Sequence, residues 1–165
     1  MDLLQTTLCY LEKDGCYLML HRVKKKNDVN HDKWVGVGGK FEPGEDALAC
    51  VQREVTEETG LAMQAPIYRG IVDFYCDPWP AERMHLYTCT QFTGTMTDCD
   101  EGTLEWVPKQ AVQALPIWQG DKIFFTLLAK DAPFFHLELF YNGDTLTRAV
   151  LEGEELPLQY AGCDC

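Results

Sequence analysis

Positive charge is what this sequence has least of. Fourteen Lys and Arg stand against 26 Asp and Glu, a net charge of −12. Nucleic-acid polymers are held through their phosphates by Lys and Arg, so a DNA or RNA strand is not an expected partner. A small phosphorylated ligand stays compatible if a metal ion bridges the two negative parties. Long hydrophobic runs are also missing. No stretch reaches the length of a membrane span, and no apolar run with a basic flank opens the chain. The expectation is a soluble, cytoplasmic protein with no membrane partner. Nor do the eight cysteines contain a C-x-x-C pair. Their scatter speaks against a zinc site or a disulfide scaffold, and several fall at apolar strand positions, where Cys acts as a small buried hydrophobe. Only the tail "CDC", with Cys163 and Cys165, leaves room for a metal or redox role, against the plainer reading of an incidental terminus. Repeats, linkers and low-complexity segments are absent, and 165 residues suit one domain, 1–165.

What is present alternates between strand and helix patterns. Residues 6–23 hold two β-rich runs around Lys13-Asp14-Gly15, which predicts a hairpin. Residues 24–33 form a polar, mostly basic loop, either simply solvated or a rim that attracts anions. A Gly-rich segment (34–46) follows, then a helical pattern from Asp46 to Thr59 with Leu48, Val51 and Val55 as its apolar stripe and Gly60 beyond its end. Strands are predicted at 67–76, 83–93 and 102–108, a short helix at 109–115 and a longer one at 121–131 that packs Ile123, Phe124, Leu127 and Leu128. A last hairpin over 134–153 turns at Asn142-Gly143. Strands interleaved with two substantial helices predict an α/β (or α+β) sandwich, a mixed central sheet with helices on both faces.

The segment "REVTEETGL" (53–61) adds three glutamates to a chain already rich in them. Glu54 and Glu58, four apart, project from one side of the helix, with Glu57 beside them. Like charges at that spacing cost only a few tenths of a kcal/mol, so a solvated helix face tolerates them. The alternative is that they await a cation. Gly39, Glu45, Arg53, Glu54, Val55, Glu57, Glu58, Gly60 and Leu61 together decide between the two. Their spacing over 39–61 resembles the Nudix box, and every defined position of that motif is filled. The resemblance implies the Nudix fold and a hydrolase that cleaves a nucleoside diphosphate linked to another group. It further implies divalent ions, Mg²⁺ or Mn²⁺, held by Glu54, Glu57 and Glu58 with the backbone of Gly38, and an Arg53 that orients a glutamate. Hard carboxylate oxygens suit those ions, and such an ion neutralises phosphate charge and activates water.

Over nearly its whole length the chain looks more like the MutT-type enzymes, which hydrolyse oxidised purine nucleoside triphosphates and so sanitise the nucleotide pool. "TTLCYL", "KWVGVGGK", "DEGTLEWVP" and "WQGDKIFF" carry that likeness. It implies Thr7 in a base pocket, Glu101 as an added acidic ligand or base, Trp118 against the purine face and Asp121 on the purine edge. It also implies Gly39, Lys40 and, more loosely, Arg22 near the phosphates. Read from the residues alone, Trp118 is equally a core anchor and Asp121 an N-cap of the 121–131 helix. Two positions depart from the pattern: Val35 replaces a base-contacting Asn, and Gly120 the first of two aspartates. Both losses should relax base discrimination. The expected activity is thus pyrophosphohydrolysis of purine nucleoside triphosphates such as 8-oxo-dGTP. ADP-ribose, dinucleotide polyphosphates or a capped RNA end are alternative substrates, and a non-catalytic nucleotide sensor is the alternative class. Glu54, Glu57, Glu58 and Glu101 are all open as general base.

Overall fold

The computed structural model describes residues 3–24, 28 and 30–158. Lys25 and Lys26 of the basic loop and the Cys163/Cys165 tail lie outside the described residues. Among the described residues, eleven strands and two α-helices follow in chain order: β1 (Leu4–Lys13), β2 (Cys16–His21), β3 (Trp34–Val35), α1 (Ala47–Thr59), β4 (Leu61–Gln64), β5 (Ile67–Asp77), β6 (Glu82–Cys89), β7 (Gln91–Gly94), β8 (Thr103–Pro108), α2 (Asp121–Ala129), β9 (Phe135–Asn142), β10 (Thr145–Leu151) and β11 (Glu154–Leu156). The 109–115 segment forms a 3₁₀ helix over Lys109–Ala114. Nine strands make one sheet in the order β11-β10-β9-β5-β6-β1-β2-β3, with β8 also on β2. The β1–β6 and β5–β9 pairs are parallel and the other pairs of this sheet antiparallel, the mixed sheet that the sequence pattern predicts.

Local chemistry explains where the elements begin and end. Asp14 (φ 53°) and Gly15 (φ 75°) both take the left-handed conformation that a two-residue hairpin turn needs, which is why Asp-Gly joins β1 to β2. Asp46 caps α1 by accepting from the Ala49 N–H at 2.8 Å, and Gly60 (φ 79°) closes it with a bond from its N–H to the Thr56 carbonyl. β1 then sorts the two helices by alternation. Thr7 faces α1, its hydroxyl 3.5 Å from Cys50 Sγ, whereas Tyr10 meets Phe124 and Phe125 of α2. The helices therefore lie on opposite faces of the sheet.

Several expectations shift. Leu48 is 45% exposed. It has the right angle for the apolar stripe but lies in the first turn of α1, and the buried face is instead Cys50, Val51, Val55, Glu58 and Thr59. The 83–93 strand divides at Thr90, its second part (β7) leaving the main sheet to pair with β4, a four-residue strand that the pattern did not reveal. α2 ends at Ala129, and Leu127 and Leu128 are only partly buried while Phe125 is buried. The last hairpin turns at Gly143-Asp144, with Asn142 still paired, and β11 extends it after a second turn. Cys9, Cys50, Cys76, Cys89 and Cys99 are buried free thiols, consistent with a hydrophobic role.

Candidate active site

The Gly-rich segment before α1 runs alongside β1. Backbone bonds Thr7 N to Gly39 O (2.9 Å) and Val37 N to Cys9 O (3.0 Å) hold it there. The approach is so close that a Cβ on Gly38 would fall on the Thr7 carbonyl, and one on Gly39 would lie 2.6 Å from the Glu54 carboxylate oxygens. Gly38 has no room for a side chain against rigid backbone, and one at Gly39 would displace the Glu54 carboxylate. The Gly38 N–H, freed from the sheet, donates to Glu58 Oε2 at 2.9 Å.

Arg53 organises the acidic helix. It forms a fork on Glu45 (Nε–Oε2 2.7 Å, Nη2–Oε1 3.0 Å), and its Nη1 reaches Glu54 (2.8 Å) and Glu57 (3.0 Å). Its Nη2 also donates to the Lys40 carbonyl at 3.1 Å. The guanidinium holds Glu45 down to about 2. Glu58 is the opposite case. Burial pushes it up to about 9, with the nearby Glu101 and Glu54 charges adding to the shift. Among the described residues its Oε1 is buried and meets no donor other than a proton shared with the neighbouring Glu101 carboxyl. Glu101 is bridged to Arg22 (3.0 Å), which also binds Asp28 (2.7 Å).

A cavity of about 620 Å³ opens beside this cluster. Thr7, Arg22, Val35, Gly38, Gly39, Lys40, Glu54, Glu101, Trp118 and Asp121 all line it. Arg53, Glu57 and Glu58 do not: Arg53 stands behind Glu54, Glu57 points outward at 58% side-chain exposure, and Glu58 is buried. Thr7 contributes wall but not hydroxyl, since its Oγ1 turns toward Cys50 and the Gly39 N–H. Alternation along the strand turns its neighbour Thr6 to the other face, where the hydroxyl donates to Glu82 on the cavity wall. Trp118 is anchored by donating its Nε1–H to Asn30 (2.7 Å), packs edge-on with Phe74 and Tyr141, and carries the Lys33 ammonium 4.5 Å from its ring centre. Asp121 does not cap α2, whose N-cap is Gly120 without a side-chain cap bond. Its carboxyl is buried, and that desolvation pushes it up to about 8 although Lys33 pulls the other way. Sequence reasoning missed Asp28, Asn30 and Glu82. The first two lie in a loop without pattern, and Glu82 only breaks an apolar alternation.

The residues fit a divalent cation by their chemistry. A buried carboxylate oxygen on Glu58, flanked by Glu54 and Glu101, is the environment that a cation relieves. Among the described residues, however, no three His, Cys, Asp or Glu side chains converge into a ready shell. Such ions usually complete their shell with waters and substrate phosphates, so a partial protein shell suffices.

Comparison with known proteins gives the family. The NUDIX domain model matches residues 4–128, and the chain belongs to the Nudix family. Nudix hydrolases act on phosphoanhydride bonds and generally use divalent metal cations. Within the family the likeness is to MutT proteins. A mutator MutT protein from Bacillus halodurans superposes with a TM-score of 0.79 at 28% identity, covering 92% of this chain and 99% of its own. An uncharacterized Nudix hydrolase, YvcI, of Bacillus subtilis is 30% identical over 84% of this chain and 87% of itself. The oxidized purine nucleoside triphosphate hydrolase of Mus musculus is 27% identical over 74% of this chain and 79% of itself. Among the described residues no helix is long and apolar enough to cross a membrane.

Proposed function

We propose that the chain is a Mg²⁺-dependent pyrophosphohydrolase (Mn²⁺ serving as well) that cleaves oxidised purine nucleoside triphosphates such as 8-oxo-dGTP to the monophosphate and pyrophosphate. The observation that supports this most is a single cavity shared by two kinds of chemistry: Glu54, Glu101 and the Gly38–Gly39 backbone on one part of its wall, Trp118 and Asp121 on another. A phosphate chain and a base are the two ends of one ligand that such a wall suits.

In this reading Glu54, Glu58 and Glu101, with the Gly38 backbone, hold the cation, and Glu57 joins from the outside. The bound ion supplies charge neutralisation and a water of lowered pKa. Arg53 fixes the Glu54 carboxylate in place, and Glu45 in turn locks Arg53 with a two-pronged pair. Arg22 and Lys40 face the phosphates from the same wall. Water adds to phosphorus as pyrophosphate departs, and a carboxylate takes the water's proton. Glu54 and Glu101 line the cavity whereas Glu57 and Glu58 do not, which favours one of the first two as base. Trp118 offers its ring to the purine, and Asp121, held neutral by burial, donates to a base oxygen.

The test is a nucleotide panel with pyrophosphate detection, with and without Mg²⁺, setting 8-oxo-dGTP beside dGTP, ADP-ribose and a dinucleotide polyphosphate. Faster pyrophosphate release from 8-oxo-dGTP than from dGTP is expected. Equal rates would remove the sanitising role, and release from none of the triphosphates would remove the activity.

A further inference from the structure

Glu82 opens β6 and has no part in the chemistry described so far. It stands opposite Phe74 on β5 and beside Leu4 on β1, so alternation places Leu4, Thr6, Phe74, Glu82 and Met84 on one face of the sheet. All five line the cavity. A carboxylate thus sits in an otherwise mainly apolar wall. Phe74, its cross-strand neighbour, packs against the Trp118 ring, which brings Glu82 to the Trp118 part of the cavity. The Thr6 hydroxyl donates to its Oε2 at 2.8 Å. Among the described residues that is its single side-chain hydrogen bond, and no Lys, Arg or His nitrogen lies within ion-pair distance. Burial pushes the Glu82 carboxyl up, and the Thr6 hydroxyl, with Lys40 and Arg22 at longer range, opposes that shift. A carboxylate accepts about four hydrogen bonds, so most of its capacity faces the cavity unused. Desolvating such a group is costly unless donors meet it.

We propose that Glu82 selects the base, accepting hydrogen bonds from the ring N–H and the adjacent exocyclic amino group of a guanine-type base. Two neighbouring N–H donors match the two oxygens of one carboxylate. A guanine edge supplies that pair. An adenine edge offers one donor beside a ring nitrogen lone pair, which faces the carboxylate unfavourably. Hypoxanthine keeps the ring N–H and lacks the amino group, so it isolates one of the two contacts. The assignment rests on the base-binding reading of the cavity given above, and it adds a preference for guanine over adenine that Val35 and Gly120 leave open.

The experiment compares the full chain with Glu82→Gln and Glu82→Met. It measures kcat/KM for dGTP, dITP and dATP with Mg²⁺, and equilibrium binding of dGMP, dIMP and dAMP by calorimetry. The wild type should favour the guanine over the hypoxanthine nucleotide by about tenfold to a hundredfold, the loss expected for one hydrogen bond to a charged acceptor. Both variants should bring that ratio close to one. A ratio between two ligands on one preparation is not changed by partial loss of folded protein, and thermal unfolding of each variant checks the fold directly. Unchanged guanine-to-hypoxanthine ratios in both variants overturn the assignment, as does a wild type that prefers adenine. If no triphosphate is turned over but dGMP still binds in preference to dIMP and the variants abolish this, the activity reading falls and the role of Glu82 stands.

Discussion

Arg53 satisfies several acceptors with one planar group: a fork on Glu45, single bonds to Glu54 and Glu57, and the Lys40 carbonyl. A lysine could reach one of these at a time. Arg53→Lys is therefore expected to lower activity by about tenfold to a hundredfold, the usual cost of losing a group that orients metal ligands, and to raise the Mg²⁺ concentration needed for half-maximal rate. A variant with wild-type Mg²⁺ response would remove Arg53 from the site's organisation. Asp121 carries a different kind of signature. Its carboxyl titrates near 3.9 when unfolded and at about 8 when folded. Between these values the folded chain holds the extra proton, so this group's contribution to stability falls as pH rises from about 4 to about 8 and is level above. Asp121→Asn should flatten that decline and leave the variant the more stable protein at pH 8, read from urea midpoints across pH in the presence of a chelator. Glu58, raised in the same sense, keeps part of the slope. A variant with the full wild-type slope would mean that Asp121 is charged at neutral pH.

The junction of the Gly-rich segment with α1 separates stability from function at neighbouring positions. A side chain at Gly38 meets the rigid Thr7 carbonyl, whereas one at Gly39 meets the movable Glu54 carboxylate. Gly38→Ala should cost about 1–3 kcal/mol of stability, as overpacking does. Gly39→Ala should unfold near the wild-type midpoint and lose turnover because Glu54 is displaced. Reversal of the two effects in chemical denaturation and rate assays would contradict the geometry. This junction was also the most legible part of the sequence. Gly60 marked the end of α1 because a left-handed residue after a helix is local chemistry, and Asp14-Gly15 marked the first hairpin for the same reason; Asp46, read only as the start of the helical pattern, proves to be its N-cap. What could not be read depended on distant partners. β4 exists because β7 lies beside it, and Leu48 is exposed because α1 seats its first turn through Ala47 and Cys50 instead. Glu82 and Asn30 acquire meaning only when β1, β5 and the loop before β3 close around Trp118 and Phe74.

For the molecule as a whole, charge is the organising fact. A net charge of −12 repels a nucleotide's phosphates, and it also opposes the compact state. Glu58 concentrates that conflict, a buried carboxyl with two acidic neighbours. A cation that binds the folded chain there stabilises it by mass action, by about 2.7 kcal/mol at a hundred times its dissociation constant. General screening of surface charge by salt is a separate, smaller and unspecific effect. The two are told apart by titrating MgCl₂ against NaCl at matched ionic strength and following thermal unfolding. Mg²⁺ should raise the unfolding temperature beyond the NaCl control. Glu58→Gln should be more stable than the wild type in chelator at neutral pH, because it avoids the cost of keeping a buried carboxyl protonated that would ionise in the unfolded chain, and should lose most of the Mg²⁺ increment. If NaCl stabilised as well as MgCl₂, or if Glu58→Gln kept the whole increment, the acidic face of α1 would be a solvated surface and the cation would bind elsewhere.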